Sequence, residues 1–253
     1  MKAWWILLLA ACEAPAAHPV PGIWRASQLR STLPAAACGT DISFGGPIAL
    51  RYRYLYDAFG RLAFARGTYT DSPYEDTIAY RWDNVDQMTG VVQRSTWDGS
   101  VVEIEALYSS LGDLVEYTWR GPRVERHRYE YDVRGLPDRE IIEVGKLAAA
   151  FELHYDATNR IVLATGDAST TVYTYDDDAR TITIDTDDGA FVGVIEYDGE
   201  DHQLAERWSG SDPMAAHTEQ LYTWSGDRLD RMTSRSGDDV QIETYLYACD
   251  SGR

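Results

Sequence analysis

Three tryptophans, Trp97, Trp119 and Trp208, stand outside the recurring aromatic pattern of this chain and are the side chains best suited to touch a ligand. An indole face stacks on the apolar face of a sugar ring, and Trp208 adjoins the turn-forming string "WSGSDP", the kind of loop where binding residues collect. We take all three as candidate ligand-binding residues, with a glycan as the ligand class. Nothing comparable supports catalysis. The histidines, His18, His127, His154, His202 and His217, include no pair close enough in sequence to share one helix or strand face. There is no HExxH, CxxC or GxSxG and no glycine-rich phosphate loop. We therefore assign no catalytic residue, no metal and no cofactor, and expect no enzyme. The acidic stretch "YDDDARTITIDTDDGAF" raises the question of calcium, which wants several converging carboxylates. Its two Asp groups flank the strand-like string "RTITI", so they fall at opposite edges of a sheet, and Ala190 occupies the position where an EF-hand loop starting at Asp185 needs Gly. Ordinary acidic turns account for it.

The cysteines carry a different chemistry. "MKAWWILLLAAC" places one Lys before an apolar run that is too short to span a bilayer, which takes about 20 residues, and ends in small residues; this is the outline of an export signal. "LAAC" (Leu9, Ala10, Ala11, Cys12) resembles the lipobox of bacterial lipoproteins. That resemblance implies a signal peptide over 1–11, cleavage before Cys12, and diacylglycerol on its sulfur as the membrane attachment, with the outer membrane as the expected site. The Pro- and Ala-rich segment 12–37 has no sustained period and reads as a tether. Cys38 and Cys249 remain. In an oxidising compartment one disulfide between them is the economical reading, and two buried unpaired thiols the alternative.

What must position these residues is a repeat. In "YRYLYDAFGRLAFARG" (52–67), Tyr52, Tyr54 and Tyr56 alternate with Arg51, Arg53 and Leu55, the period of a strand with its tyrosines on one face. Asp57 then caps a turn, Gly60 supplies a positive φ, and "RLAF" starts a return strand with Leu62 and Phe64 on the apolar face. The aromatic anchor recurs at Tyr56, Trp82, Tyr108, Tyr131, Tyr155, Tyr175, Tyr197, Trp224 and Tyr247, at intervals of 20 to 27 residues. Asn159 stands where Gly60 does in its own copy. Turn strings such as "WDGS" and "DDGA" close each unit at the opposite edge. Nine units of two strands predict an all-β domain over 38–253: about nine antiparallel hairpins in one long curled sheet, barrel-like or spiral.

The string "YRYLYDAFGRL" resembles the YD repeat of the rearrangement-hotspot (RHS) proteins, through Tyr56, Asp57, Gly60, Arg61 and Leu62. Later copies keep parts of the pattern, with Ser109, Ser225 and Ala248 in place of the Asp. The resemblance implies a coiled β-strip. The self-cleaving core and variable effector of the large family members have no counterpart here, so toxin delivery is not implied. The formal charge of −18 repels phosphate backbones, so nucleic acid is not an expected partner. The expectation is a noncatalytic, lipid-anchored envelope protein acting as a scaffold or adhesion surface, with a protein or glycan partner; the alternative is a carbohydrate-binding surface module.

Overall fold

The computed structural model describes residues 37–247, apart from 168, 188 and 211–216. Cys12, the signal, the tether up to residue 36, and Cys249 lie outside the described residues. Every described element is a strand, and no helix is long and apolar enough to cross a membrane.

Eight hairpins follow one another along the chain: β2 (Ile48–Tyr56) with β3 (Leu62–Tyr69), β4 (Glu75–Trp82) with β5 (Met88–Ser95), β6 (Val101–Tyr108) with β7 (Leu114–Arg120), and β8 (Val124–Tyr131) with β9 (Pro137–Val144). The second half repeats this with β10 (Leu147–Tyr155) and β11 (Ile161–Gly166), β12 (Thr170–Asp176) and β13 (Thr181–Thr186), β14 (Phe191–Tyr197) and β15 (Gln203–Ser209), and β16 (Thr218–Ser225) and β17 (Arg228–Ser236). Each hairpin pairs antiparallel with the next. The ninth unit is split. Its outgoing strand is β18 (Asp239–Leu246), and its return strand is β1 (Gly39–Ser43), supplied by the other end of the chain. Since β1 also pairs with β2, the 18 strands close into a ring without a free edge, the barrel alternative of the expected fold.

One detail of the expected pattern is corrected. Tyr56 pairs with Leu62, but Leu55 pairs with Phe64 and Tyr54 with Ala65. A β-bulge at Ala63 therefore flips the face after Leu62, so Leu62 and Ala65 are buried inside while Phe64 turns outward. The same register shift recurs after Trp82, Tyr108, Tyr131, Tyr155, Tyr197 and Trp224; the pairing of β12 with β13 runs straight through.

The barrel has two unlike rims. The motif rim carries the Asp-headed turns and both described chain ends; the far rim carries the connections between units. At the motif rim the anchor aromatics form an inward ring. Six of the nine donate their polar tips to the carbonyl that opens the preceding return strand: Trp82 to Leu62 (2.7 Å), Tyr108 to Met88 (2.9 Å), Tyr131 to Leu114 (2.7 Å), Tyr155 to Pro137 (2.5 Å), Trp224 to Gln203 (2.8 Å) and Tyr247 to Leu229 (2.9 Å). This answers why Tyr and Trp outnumber Phe: the anchor needs an apolar body and a donor at its end.

The outer wall is charged. Arg120 meets Glu105 (2.5 Å), Arg126 meets Glu116 (2.9 Å), Arg128 meets Glu143 (2.7 Å), and Arg207 bridges Glu196 (2.5 Å) and Glu219 (3.0 Å). Such exposed pairs add roughly 0–1 kcal/mol each. A lipid-facing barrel wall is an apolar band, which this wall is not.

Candidate functional site

The motif turns are built for structure. Asp57 Oδ1 accepts the amides of Phe59 (2.9 Å) and Arg61 (3.0 Å), and Oδ2 accepts Arg61 Nε (2.7 Å). Local desolvation pushes the Asp57 carboxyl up, but the bonds from Arg61 and Phe59 outweigh it and hold the group below the usual carboxylate range. Gly60 takes φ 76°, and Asn159 takes φ 63° in its own turn. Arg61 then reaches the next turn, bonding the Asp83 carbonyl and Asp86 Oδ1, both at 2.9 Å. Arg160 does the same to Asp177 (2.8 Å), and Arg180 to the Asp198 carbonyl (2.6 Å). The Arg of the repeat is thus a clasp between neighbouring units.

Toward the far rim the interior changes character. On the inward faces of β8 and β9, His127 Nδ1 meets Glu140 at 2.9 Å and Nε2 meets Glu125 at 2.8 Å, while the Tyr129 hydroxyl donates to Glu140 at 3.0 Å and Tyr117 stacks on the imidazole at 4.3 Å. Burial opposes the imidazolium, but the hydrogen bonds and charges of Glu140 and Glu125 outweigh it and raise the His127 pKa above its ordinary value. On β18, Glu243 is fully buried with Gln241 Nε2 at 2.7 Å and the Tyr245 hydroxyl at 3.2 Å; burial raises its carboxyl. On β15, Glu206 accepts Gln203 Nε2 at 3.0 Å and Trp208 Nε1 at 2.5 Å. On β4, Asp76 is fully buried; its Oδ2 accepts the hydroxyls of Tyr69 (3.1 Å) and Tyr52 (3.3 Å), and its Oδ1 has no hydrogen-bond partner. This half of the interior is an acidic belt held mostly by neutral donors.

All three sequence-nominated tryptophans belong to this end. Trp97 sits in the turn after β5, 57% exposed, with the Tyr74 ring edge-on at 4.8 Å and Tyr69 at 6.0 Å. Trp119 and Trp208 occupy the far-rim ends of β7 and β15, but they face inward and are half-buried: Trp119 lies over Gly121, and Trp208 lies so close to Gly193 that an added Cβ there would meet its ring at 2.7 Å. The structure brings the three to one mouth without placing them in one cluster. Sequence reasoning missed Tyr69, Tyr74 and Asp76 beside Trp97, and missed the His127 group. The latter was readable, because alternation along "ERHRYEY" puts Glu125, His127 and Tyr129 on one face.

Two other features have less to offer. Glu200, His202 and Asp227 at the motif rim bring ligand atoms within 4.8 Å of one another, but His202 Nδ1 is held by Asp198 at 3.0 Å and its ring stacks on Trp224 at 4.6 Å, so the turn itself employs it. A hollow of about 550 Å³ on the outer wall is lined by Arg81, Glu105, Glu116, Arg120 and Arg126, whose charges pair with one another. The acidic string 175–191 divides between the rims around β13, as its spacing indicated.

No family model and no curated protein matches the chain. Among solved structures, the crystal structure of TcdB2-TccC3-Cdc42 overlaps 76% of this chain at 9% identity and a TM-score of 0.31; the chain spans 14% of that one. TcdB2-TccC3 without its hypervariable C-terminal region gives 10% identity over the same 76%, again 14% of that chain, with a TM-score of 0.29. A porin-like protein from Bacteroides uniformis overlaps 84% of this chain and 96% of its own, at 10% identity and a TM-score of 0.41. With TM-scores below 0.5, these likenesses carry no argument about this chain.

Proposed function

We propose that this chain is a noncatalytic binding barrel of YD-repeat type, held on a bacterial envelope membrane by lipid on Cys12, and that the far mouth is its interaction surface with a glycan as ligand. The observation that carries the reading is Trp97: a large indole face, 57% exposed, held edge-on by Tyr74 at the entrance to an interior whose carboxylates are already oriented by Tyr, Trp and Gln donors. An aromatic platform beside a few fixed polar groups is the usual make-up of a small-ligand site. The noncatalytic part is consistent with His127, whose two ring nitrogens are both spent on Glu140 and Glu125 within the wall.

The test uses the chain from residue 13 onward on a panel of envelope and extracellular glycans, followed by calorimetry with each binder. Saturable binding that weakens about tenfold or more in Trp97→Ala is expected, the loss typical of a central aromatic anchor. Glycan binding that Trp97→Ala leaves unchanged in folded protein overturns the platform. Absence of any glycan binding overturns the ligand class and leaves the scaffold role, with a protein partner, as the reading to pursue.

A further inference from the structure

The motif rim is lopsided in a way that the turn chemistry does not require. In four consecutive turns a large apolar residue is turned to solvent: Phe59 (80% exposed), Val85 (66%) and Leu111 (88%) at equivalent positions, and Val133 (105%) one position earlier in its turn, where Arg134 holds the place of Phe59. Leu55 and Leu107, on the outward faces of β2 and β6 just behind these tips, are exposed as well. The following turns put Thr158, Asp178, Glu200 and Asp227 at their tips instead. One arc of the rim is therefore apolar and the other polar or acidic, although both make the same kind of turn. Thr158 spends its hydroxyl on the turn, donating to Asp156 Oδ1 at 2.7 Å, whereas Phe59, Val85, Leu111 and Val133 have no polar group to give it, so the hydrophobic choice on four neighbouring turns needs another reason. Four neighbouring apolar tips form a patch of the kind that marks an interaction surface.

The chain itself indicates what covers that patch. β1 enters the barrel at this rim: the Ala37 carbonyl accepts the Tyr56 hydroxyl at the place where Leu62 serves Trp82. The chain thus enters at this rim, between β18 and β2, beside the Phe59 turn. Cys12 stands 25 residues before Ala37 in the sequence, so the lipid expected on it would be joined to the barrel through this rim.

We propose that the motif rim is the membrane-facing end of the barrel, with Phe59, Val85, Leu111 and Val133 dipping into the interface of a phospholipid surface and the far mouth presented away from it. This rests on the lipid attachment at Cys12 for its supply of membrane, and on nothing about the ligand. Arg61, whose guanidinium lies 4.9 Å from the Phe59 ring centroid, and Arg134 sit among the tips at headgroup depth. The acidic arc, with Asp177, Asp178, Glu200 and Asp227, lies outside the patch, which tilts the barrel and favours zwitterionic over anionic lipid. The far rim also exposes apolar residues, among them Phe44, Trp97 and the first residues of β2, β6, β8 and β10 (Ile48, Val101, Val124 and Leu147), but it lies away from the chain entry.

The experiment places an environment-sensitive fluorophore on Leu111→Cys or, separately, on Asp98→Cys at the far rim, in the lipidated chain reconstituted into phosphatidylcholine vesicles. A blue shift, with quenching by brominated acyl chains, is expected at position 111 and absent at 98. Adding Phe59→Ser, Val85→Ser and Val133→Ser is expected to abolish the shift at 111 while leaving the far-ultraviolet spectrum and lipid attachment intact. Solvent-like emission at both positions, or burial of 98 instead, overturns the proposal. So does self-association in sedimentation velocity that the serine variants abolish, since a second copy would then be the occupant. The Cys12→Ala chain separates the two readings. A shift at 111 at high lipid concentration without acylation keeps the docking face even if the wild-type Cys12 proves unmodified, whereas acylated chain without the shift removes the docking face and keeps the anchor.

Discussion

The Tyr56 hydroxyl donates to the carbonyl of Ala37 at 2.5 Å, across 19 residues of sequence, and so binds the first complete repeat to a strand that belongs to the last. Ala37 is as buried as Leu62, Leu114, Ile161 and Leu229, the residues that open return strands elsewhere. Cys38 follows it, with its amide on the Leu246 carbonyl at 2.6 Å, three residues before Cys249. In an ordinary unit the backbone turn joins these two strands. In the ninth unit a Cys38–Cys249 bridge would take the place of that turn.

Closure therefore predicts a large effect of the bridge. In the chain-entropy model a loop of this length contributes about 5 kcal/mol. A peptide map without reductant is expected to show the two cysteines linked, and reductant is expected to lower the Tm. Deleting residues up to Ser43 is expected to do more, because it exposes the edges of β2 and β18, and sedimentation velocity should then report edge-to-edge association. A monomeric truncation with unchanged Tm would mean that β1 does not hold the ring shut.

His127 gives stability a pH dependence. Its folded pKa is raised by Glu140 and Glu125 against the cost of burial, so the protonated ring contributes stability that is fully present below its ordinary value of 6.5 and is lost as pH rises through the raised value. The Tm difference between wild type and His127→Gln is expected to be largest near pH 6 and to shrink toward pH 9. A constant difference would assign the loss to packing against Tyr117 alone.

Glu243 has the same sign for a different reason. Burial raises its carboxyl, with the Gln241 and Tyr245 bonds only partly offsetting it. Relative to the ionised group, its contribution is favourable below the ordinary carboxylate range and is lost as pH rises through the raised value, so keeping a carboxyl here costs stability at higher pH whether it ionises or stays protonated. Glu243→Gln is expected to stabilise the barrel at pH 7.5 and to be close to neutral at pH 4. Destabilisation at pH 7.5 would show that the carboxylate is used by a counter-charge.

The repeats were legible because each encodes its own local physics: alternation places Tyr52, Tyr54 and Tyr56 on one face, and Asp57 with Gly60 writes the turn. The bulge was not, since Ala63 carries no mark of being the extra residue; only the pairing of Tyr56 with Leu62 and Leu55 with Phe64 reveals it. The far mouth was half legible. Trp97 was singled out because it breaks the anchor pattern, whereas Tyr69 and Asp76 obey strand alternation and gain their meaning from a contact across the turn. Closure by β1 was hidden for a related reason, because "GTDIS" has too few residues to display a period and its partner β18 lies about two hundred residues away.

Two glycines separate conformational from steric demand within a single hairpin. Gly60 adopts φ 76° with open space where a Cβ would project, so Gly60→Ala meets only the left-handed backbone penalty, about 1 kcal/mol. Gly67 has an ordinary strand backbone, but a Cβ there would lie 2.7 Å from the Tyr52 ring, which is itself fixed by its bond to Asp76. The ring cannot withdraw without breaking that bond, so Gly67→Ala is expected to cost more, about 2–3 kcal/mol, as overpacking of a close-packed site does. Urea denaturation of the two variants checks the order. If Gly67→Ala proves the milder, Tyr52 is free to move, and the Tyr52–Asp76–Tyr69 network beneath the Trp97 platform is looser than its hydrogen bonds indicate.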